Sequence, residues 1–437
     1  MTELLVQKLQ KPIDTTLVAP PSKYHTHRAL ILGALAEGTT TITGVSQSLD
    51  NMSTVRCLSL LGTQFDPIEG GYHIHGGPFH TPPNVLDCGN SGSTVNFLLG
   101  VASMAPGTCL FTGDDSLRTR PLGPYIEALN RWGIEIWSTR GNGLLPVVVK
   151  HHDPSLLSGH VKVDGKISPW TTGLILMAPF AEQDVTVRVE GGRLNEGSYT
   201  LLMIEMMERF GISVEVGEGR SEFFIPADQK YTPASIVIPG DIALASFGLV
   251  LAALSDSRVR YTNLDLGIFH PEDKIVEVLQ AMGADIRIDE GSKTVEVIGG
   301  RKLKGVEVDC NDSPDMVPIL SVLLSLAEGE SRIVNAEQLR YKETDRLKAM
   351  TQLTKLGAKV TETKDGLHFQ GVDKLHGAAL DSMSDHRVLM SFFVAGCLAE
   401  GETTITDAGA AAVSYPGFLD DMQQAGVKFR LEDPKSE

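Results

Sequence analysis

A glycine recurs along this chain, each time where a helical pattern stops. The six sites are Gly62, Gly133, Gly211, Gly283, Gly357 and Gly426, spaced by roughly 70 residues, which is a repeat signal. A glycine in this place fits the left-handed position that closes a helix. After each comes a short alternating run, such as 284–288 or 358–362, and in most cases a turn and a second strand, as at 294–298 and 367–369. Between the glycines a second phrase repeats: an apolar helix, a polar turn and an alternating strand. Residues 34–38 before 39–43, 326–329 before 331–334 and 398–401 before 403–406 show it most clearly. Each unit therefore reads strand, helix, strand, helix, strand, strand. A unit of this size buries its central helix under a sheet, with other units packing on the rest.

At 437 residues the chain is too long for one ordinary core. Six units divide into two domains of three. Proline-rich stretches at 18–22 and 231–235 are the expected crossovers. The expected domains are 20–238, and 1–19 together with 239–437, with a ligand site in the cleft between them. The strand near 4–9 is expected to pair in the far domain. Hydrophobic content of 42% and charged content of 21% fit a soluble globular protein. A net charge of -17 argues against nonspecific nucleic-acid binding and against an anionic membrane surface, so any anion site must gather its own Lys and Arg. Residues 1–12 have no apolar core of a signal peptide, and the apolar run 318–327 is far short of a membrane span. Five scattered cysteines with no metal spacing read as reduced thiols of a cytoplasmic protein.

The chemistry gathers where the buried helix of each unit begins. The clusters are 22–28, 90–94, 168–170, 240–241, 311–315 and 384–387. Ser, Asp, Asn and Gly are ordinary N-caps, and structure alone accounts for about half of these positions. It does not account for Lys23, Arg28 or Arg387, because a cation at a helix start opposes the macrodipole. Free amides plus added cations make an anion site. The second helices add Arg118 and Arg120, then Glu196 and Tyr199, then the charged stretch 339–350. Read as a helix, that stretch sets Lys342 and Arg346 one turn apart and makes Glu343 and Arg346 neighbours. Two cations beside a carboxylate hold an anion and move a proton. There is no Walker loop, dinucleotide fingerprint or HExxH.

With those residues in view the chain resembles the EPSP synthase family, the 3-phosphoshikimate 1-carboxyvinyltransferases, over nearly its whole length. The motifs that carry the resemblance are Lys342-Glu-Thr-Asp-Arg346, Asp385-His-Arg387, Arg120-Pro-Leu-Gly123 and Ser22-Lys23 with Arg28. It implies an α/β fold of inside-out barrel type: two domains, each of three βαβαββ units, that close over their substrates. It implies transfer of the enolpyruvyl group of phosphoenolpyruvate (PEP) to a hydroxyl, with phosphate released, no metal or organic cofactor, and a monomeric chain.

Carried over residue by residue, the resemblance matches Lys23, Gly92 and Arg120 to the phosphate side of PEP, and Arg346 and Arg387 to its carboxylate. It matches Lys23, Asp315 and Glu343 to proton transfer. It matches Tyr24, Arg28, Ser168, Trp170, Glu196, Tyr199, Asp315, Gln338 and Lys342 to the acceptor. Several positions depart from the family pattern. Tyr24 stands for Ser, Asn96 for Arg, Pro169 and Trp170 for Ser and Gln, Glu196 for Ser, Gln338 for Asn and Val413 for Lys. Glu196 would repel a phosphate, and the flat Trp170 offers a face for stacking on a ring or base. Shikimate 3-phosphate is the expected acceptor. The alternatives are a nucleoside phosphate or a cyclitol, or a non-catalytic anion-binding role. The relatives that act on UDP-N-acetylglucosamine fit less well, because 115–119 lacks their reactive cysteine.

Overall fold

Six four-stranded sheets account for the strand pairing of the described residues, 2–433, in the computed structural model. The chain divides into two compact units, Pro21–Ile238, and Met1–Pro20 with Pro239–Glu437. The first contains helices α1 (Lys23–Leu35), α2 (Leu49–Leu60), α3 (Gly92–Val101), α4 (Gly123–Arg131), α5 (Ser168–Met177) and α6 (Gly197–Arg209). The second contains α7 (Ile242–Ala253), α8 (Lys274–Met282), α9 (Val317–Ser325), α10 (Arg346–Met350), α11 (His386–Leu398) and α12 (Phe418–Gln424).

Every sheet is wired alike. Two strands run parallel, in four of the sheets joined through a buried helix, and the remaining two add antiparallel on one side. The six glycines that mark the repeat all have positive φ, between 85° and 111°. That region is costly for residues with a Cβ, so the glycine sets where the helix stops.

The alternating helices α1, α3, α5, α7, α9 and α11 are the interior of their units. Every residue of α1 and α7 is buried. A helix apolar all round, like α7, has no solvent face to offer and sits inside the sheets. In α1 the apolar half is 29–35, and the buried half that precedes it is polar: Lys23, His25, Thr26, His27 and Arg28. Polarity there is divided end to end instead of face to face, so it cannot serve a water-facing surface.

Two strands leave their sequence neighbours. Asp14–Val18, which precedes α1, pairs parallel with Arg258–Thr262 in the sheet over α7. Ser235–Val237, which precedes α7, pairs parallel with Gly38–Thr43 in the sheet over α1. The second crossing therefore falls after Ile238, later than the stretch 231–235, because 235–237 is still strand. Glu3–Gln7 pairs with Glu402–Ile405 and Phe429–Glu432, completing the sixth sheet. All five cysteines are free and buried. Among the described residues no helix is long and apolar enough to cross a membrane, and no cluster of metal-ligating side chains occurs.

Candidate active site

Each unit brings one set of charged residues together at helix starts. In the 239–437 unit the set is built around Arg346, the first residue of α10. The stretch 339–350 is not one helix. Residues Glu337–Tyr341 form a tight 3-10 turn, Lys342 is extended (φ −84°, ψ −155°), and α10 begins only after its cap Asp345 accepts from Lys348 N. The expected one-turn pairing of Lys342 with Arg346 on a helix face is therefore not formed. Arg340 draws the turn away, bonding Asp345 at 3.0 Å and Glu362 at 2.6 Å.

The break aims Arg346 at three carboxylates. Its Nε donates to Asp385 Oδ2 at 2.7 Å and one Nη to Asp385 Oδ1 at 3.2 Å. The other contacts are Asp315 Oδ1 at 2.6 Å and Glu343 Oε2 at 2.7 Å. Burial works against the guanidinium charge, but Asp385, Glu343 and Asp315 offset it and hold its pKa well above the usual value. Asp385 has a second task as N-cap of α11, accepting from the amides of Arg387 and Val388. Burial pushes the Asp385 carboxyl up against the pull of Arg346. Arg387 reaches Asp315, with Nε 3.6 Å from Oδ2. Gln338, buried, donates to the carbonyls of Cys310 and Asn311 and ties the turn to the segment that leads to Asp315. Val413 ends a 3-10 turn at Ala408–Val413 and is half-buried.

In the 21–238 unit the first turn of α1 carries Lys23, whose Nζ meets Asp50 Oδ2 at 2.8 Å with both side chains buried. Asn51 Nδ2 donates to Lys23 O, and a hydroxyl chain from His27 through Thr54 and Thr94 to Ser91 binds α1, α2 and α3 together. Burial, then Lys23 and Arg28, push His27 well below the usual imidazole value, so it is neutral. Gly92 opens α3, and a Cβ placed there would lie 3.2 Å from Arg120 Nη1. Arg120 is held over that amide end by Asn90 at 2.7 Å and Ser116 at 3.1 Å. Asn96 turns back to Gly92 O at 2.8 Å.

Arg28 donates to the carbonyls of Tyr24 and Tyr199, at 3.0 and 2.7 Å, and lies over the Phe97 ring at 5.4 Å. Burial pushes its pKa down to about 10, with Tyr199 and Tyr24 opposing. The Tyr24 and Tyr199 rings meet edge to face, 5.1 Å apart. Ser168 and Pro169 open α5, and Ser168 Oγ lies 3.5 Å from Glu196 Oε2. Glu196 is 1% exposed and caps α6 in a left-handed backbone (φ 57°, ψ 30°). Trp170 is also 1% exposed, so the expected open stacking face is not presented. Its indole N–H is buried without a hydrogen-bond partner among the described residues.

Sequence reasoning missed Asp50, and it named Asp385 only as part of a motif. Asp50 lies in the first turn of α2 after the cap Ser48, an ordinary place for a surface acid. Asp385 reads as a plain N-cap. Only the packing shows that both hold cations.

The sequence model of the EPSP synthase (3-phosphoshikimate 1-carboxyvinyltransferase) family matches residues 7–422. A 3-phosphoshikimate 1-carboxyvinyltransferase of Methanococcus maripaludis is 37% identical, over 98% of this chain and 100% of its own. One from Methanosarcina acetivorans is 40% identical, over 94% and 95%. The solved EPSP synthase of Acinetobacter baumannii superposes with a TM-score of 0.82 at 27% identity, over 99% of this chain and 100% of that one. With the repeat, the fold and these relatives agreeing along its length, the chain belongs to the EPSP synthase (3-phosphoshikimate 1-carboxyvinyltransferase) family.

Proposed function

We propose that the protein transfers the carboxyvinyl group of PEP to a hydroxyl of 3-phosphoshikimate and releases phosphate. The observation that carries this is Arg346, a buried guanidinium held by Asp385, Asp315 and Glu343 with Arg387 beside the same Asp315. The reaction needs a proton added to the methylene carbon of PEP, attack of the acceptor oxygen on the neighbouring carbon, and removal of a methyl proton as phosphate leaves. Carboxylates fixed beside cations suit both proton transfers, and the cations stabilise the crowded anion. Arg346 and Arg387 take the PEP carboxylate. Lys23, Arg120 and the Gly92 amide take its phosphate. Asp315 and Glu343 move protons, with Lys23 assisting. Arg28, Ser168, Tyr199, Gln338 and Lys342 hold the acceptor.

The test is phosphate release from PEP plus 3-phosphoshikimate, with the product checked by mass. A gain of one carboxyvinyl group, lost by at least about a hundredfold in Glu343→Gln and Lys23→Ala that remain folded, supports the roles. Unchanged turnover in both variants would sink them. A second reading is favoured by the buried Glu196 carboxylate beside Ser168. It repels an acceptor phosphate placed there, so another alcohol takes that place. Failure with 3-phosphoshikimate but phosphate release with an unphosphorylated alcohol selects that reading.

A further inference from the structure

In the 239–437 unit the buried helices α7, α9 and α11 end at Leu254, Leu326 and Ala399. An open groove with about 580 Å³ of space lies against those ends, a volume that small ligands fill. Its wall repeats three times. Each repeat supplies the turn after a helix and the stretch where a strand leaves its sheet, residues 8–12, 300–303 and 372–375. Each leaving stretch carries a lysine at the same place: Lys11, Lys302 and Lys374. Each helix-end turn carries a carboxylate: Asp256, Glu328 and Glu400.

Two of the three pairs are closed. Lys302 Nζ lies 3.0 Å from Glu328 and Lys374 Nζ 3.1 Å from Glu400. Backbone bridges, Lys304 with Glu328 and His376 with Glu400, hold turn and exit together there. The third repeat has Pro12 after its lysine, and Ile13 N donates instead to Ser257 Oγ. Among the described residues neither Lys11 nor Asp256 forms an ion pair or a side-chain hydrogen bond, so one cation and one carboxylate stay open across the same groove.

The remaining charges decide the ligand's class. Lys8 and Arg301 add positive charge and Asp373 negative. Each helix C-terminus adds roughly half a negative charge. Positive and negative nearly cancel, which favours neither a polyanion nor a polycation. Leu254, Leu326 and Leu398, one from each helix end, supply apolar lining. We propose that this groove binds a small zwitterion with an apolar body, an α-amino acid with a large apolar side chain, its carboxylate on Lys11 and its ammonium on Asp256. The site stands apart from the Arg346 cluster but on the same helices: α11 starts at His386 beside its cap Asp385 and ends at this groove.

The test is calorimetric titration of the full chain with L-phenylalanine, in parallel with 3-phenylpropionate and 2-phenylethylamine. The expected result is saturable one-to-one binding of the amino acid and at least about tenfold weaker binding of the two singly charged analogues. Lys11→Asp should weaken binding about tenfold, and the charge swap Lys11→Asp with Asp256→Lys should restore it. Both residues are surface-exposed, so the variants fold, as circular dichroism will check. No saturation by about 10 mM overturns the proposal, as does binding that Lys11→Asp leaves unchanged or that the swap does not rescue. None of these readouts depends on catalytic activity.

Discussion

Arg346 and Arg28 are both almost fully buried, 1% and 2% exposed, yet the two units hold them in opposite ways. Arg346 sits among three carboxylates, one of them bidentate. Arg28 bonds two backbone carbonyls and an aromatic face, and no carboxylate bonds it among the described residues. The pKa shifts follow: carboxylates raise the first and burial lowers the second. A buried cation with its counter-ions in place is part of the framework. One held only by dipoles keeps capacity for an incoming anion. With the roles proposed above, the difference separates a residue whose loss breaks the fold and PEP binding together from one whose loss weakens acceptor binding at less cost to the fold.

The largest effect that tests this contrast is Arg346→Met. It strands Asp385 and its companions, and unfolding in denaturant should show a loss of about 3–5 kcal/mol together with loss of turnover. Arg28→Met should cost less stability, about 1–2 kcal/mol, while weakening acceptor binding by about 1.5–3 kcal/mol, roughly ten- to a hundredfold. Equal stability losses in the two variants would dissolve the contrast.

The buried histidines sharpen it with pH. His27 has a folded pKa below its unfolded value of 6.5, so it binds fewer protons when folded, and its unit loses stability as pH falls below about 6.5. For His270 burial lowers the pKa, but Asp241 at 3.4 Å, with Asp273 and Glu272, raises it overall. It binds more protons when folded, so its contribution is complete below pH 6.5 and is lost as pH rises through the folded value. Unfolding midpoints across pH 5 to 8 should tilt in opposite directions when His27→Gln and His270→Gln are compared with the parent. The smallest effect is Gly92→Ala: the new methyl crowds Arg120 at 3.2 Å and should raise the KM for PEP about tenfold or less with little change in stability.

Much of the fold was legible because its signals are local. The six helix-closing glycines, the caps Ser22, Ser91, Asp241 and Asp385, and the apolar helix halves are each set by neighbours in the chain. At the candidate site the residue types were legible, since a lysine or arginine at a helix start has no structural excuse. The pairing was not. Nothing near Lys23 in sequence points to Asp50, and nothing near 346 points to 385. Lys342 was misread because the alternation of charge in 339–350 mimics a helix face, while Arg340 finds Glu362 and pulls the backbone into a separate turn. Trp170 looked like a surface for stacking because its type is common in ligand sites, whereas here it fills the interior of its unit.

The sequence by itself determined six repeats, the helix ends, the buried helices and the chemical character of their starts. These follow from φ preferences, capping and apolar periodicity, which act within a few residues. The chain's division placed the crossing strands in their domains, and the tertiary structure decided which partner strand each one joins. The strands at 14–18 and 235–237 each precede one buried helix and pair over the other. Both are short segments whose own residues do not name a partner strand. It also decided which carboxylate holds which cation. A desolvated charge takes the partner that geometry brings within about 3 Å, and that partner lies 27 residues away for Lys23 and 39 for Arg346.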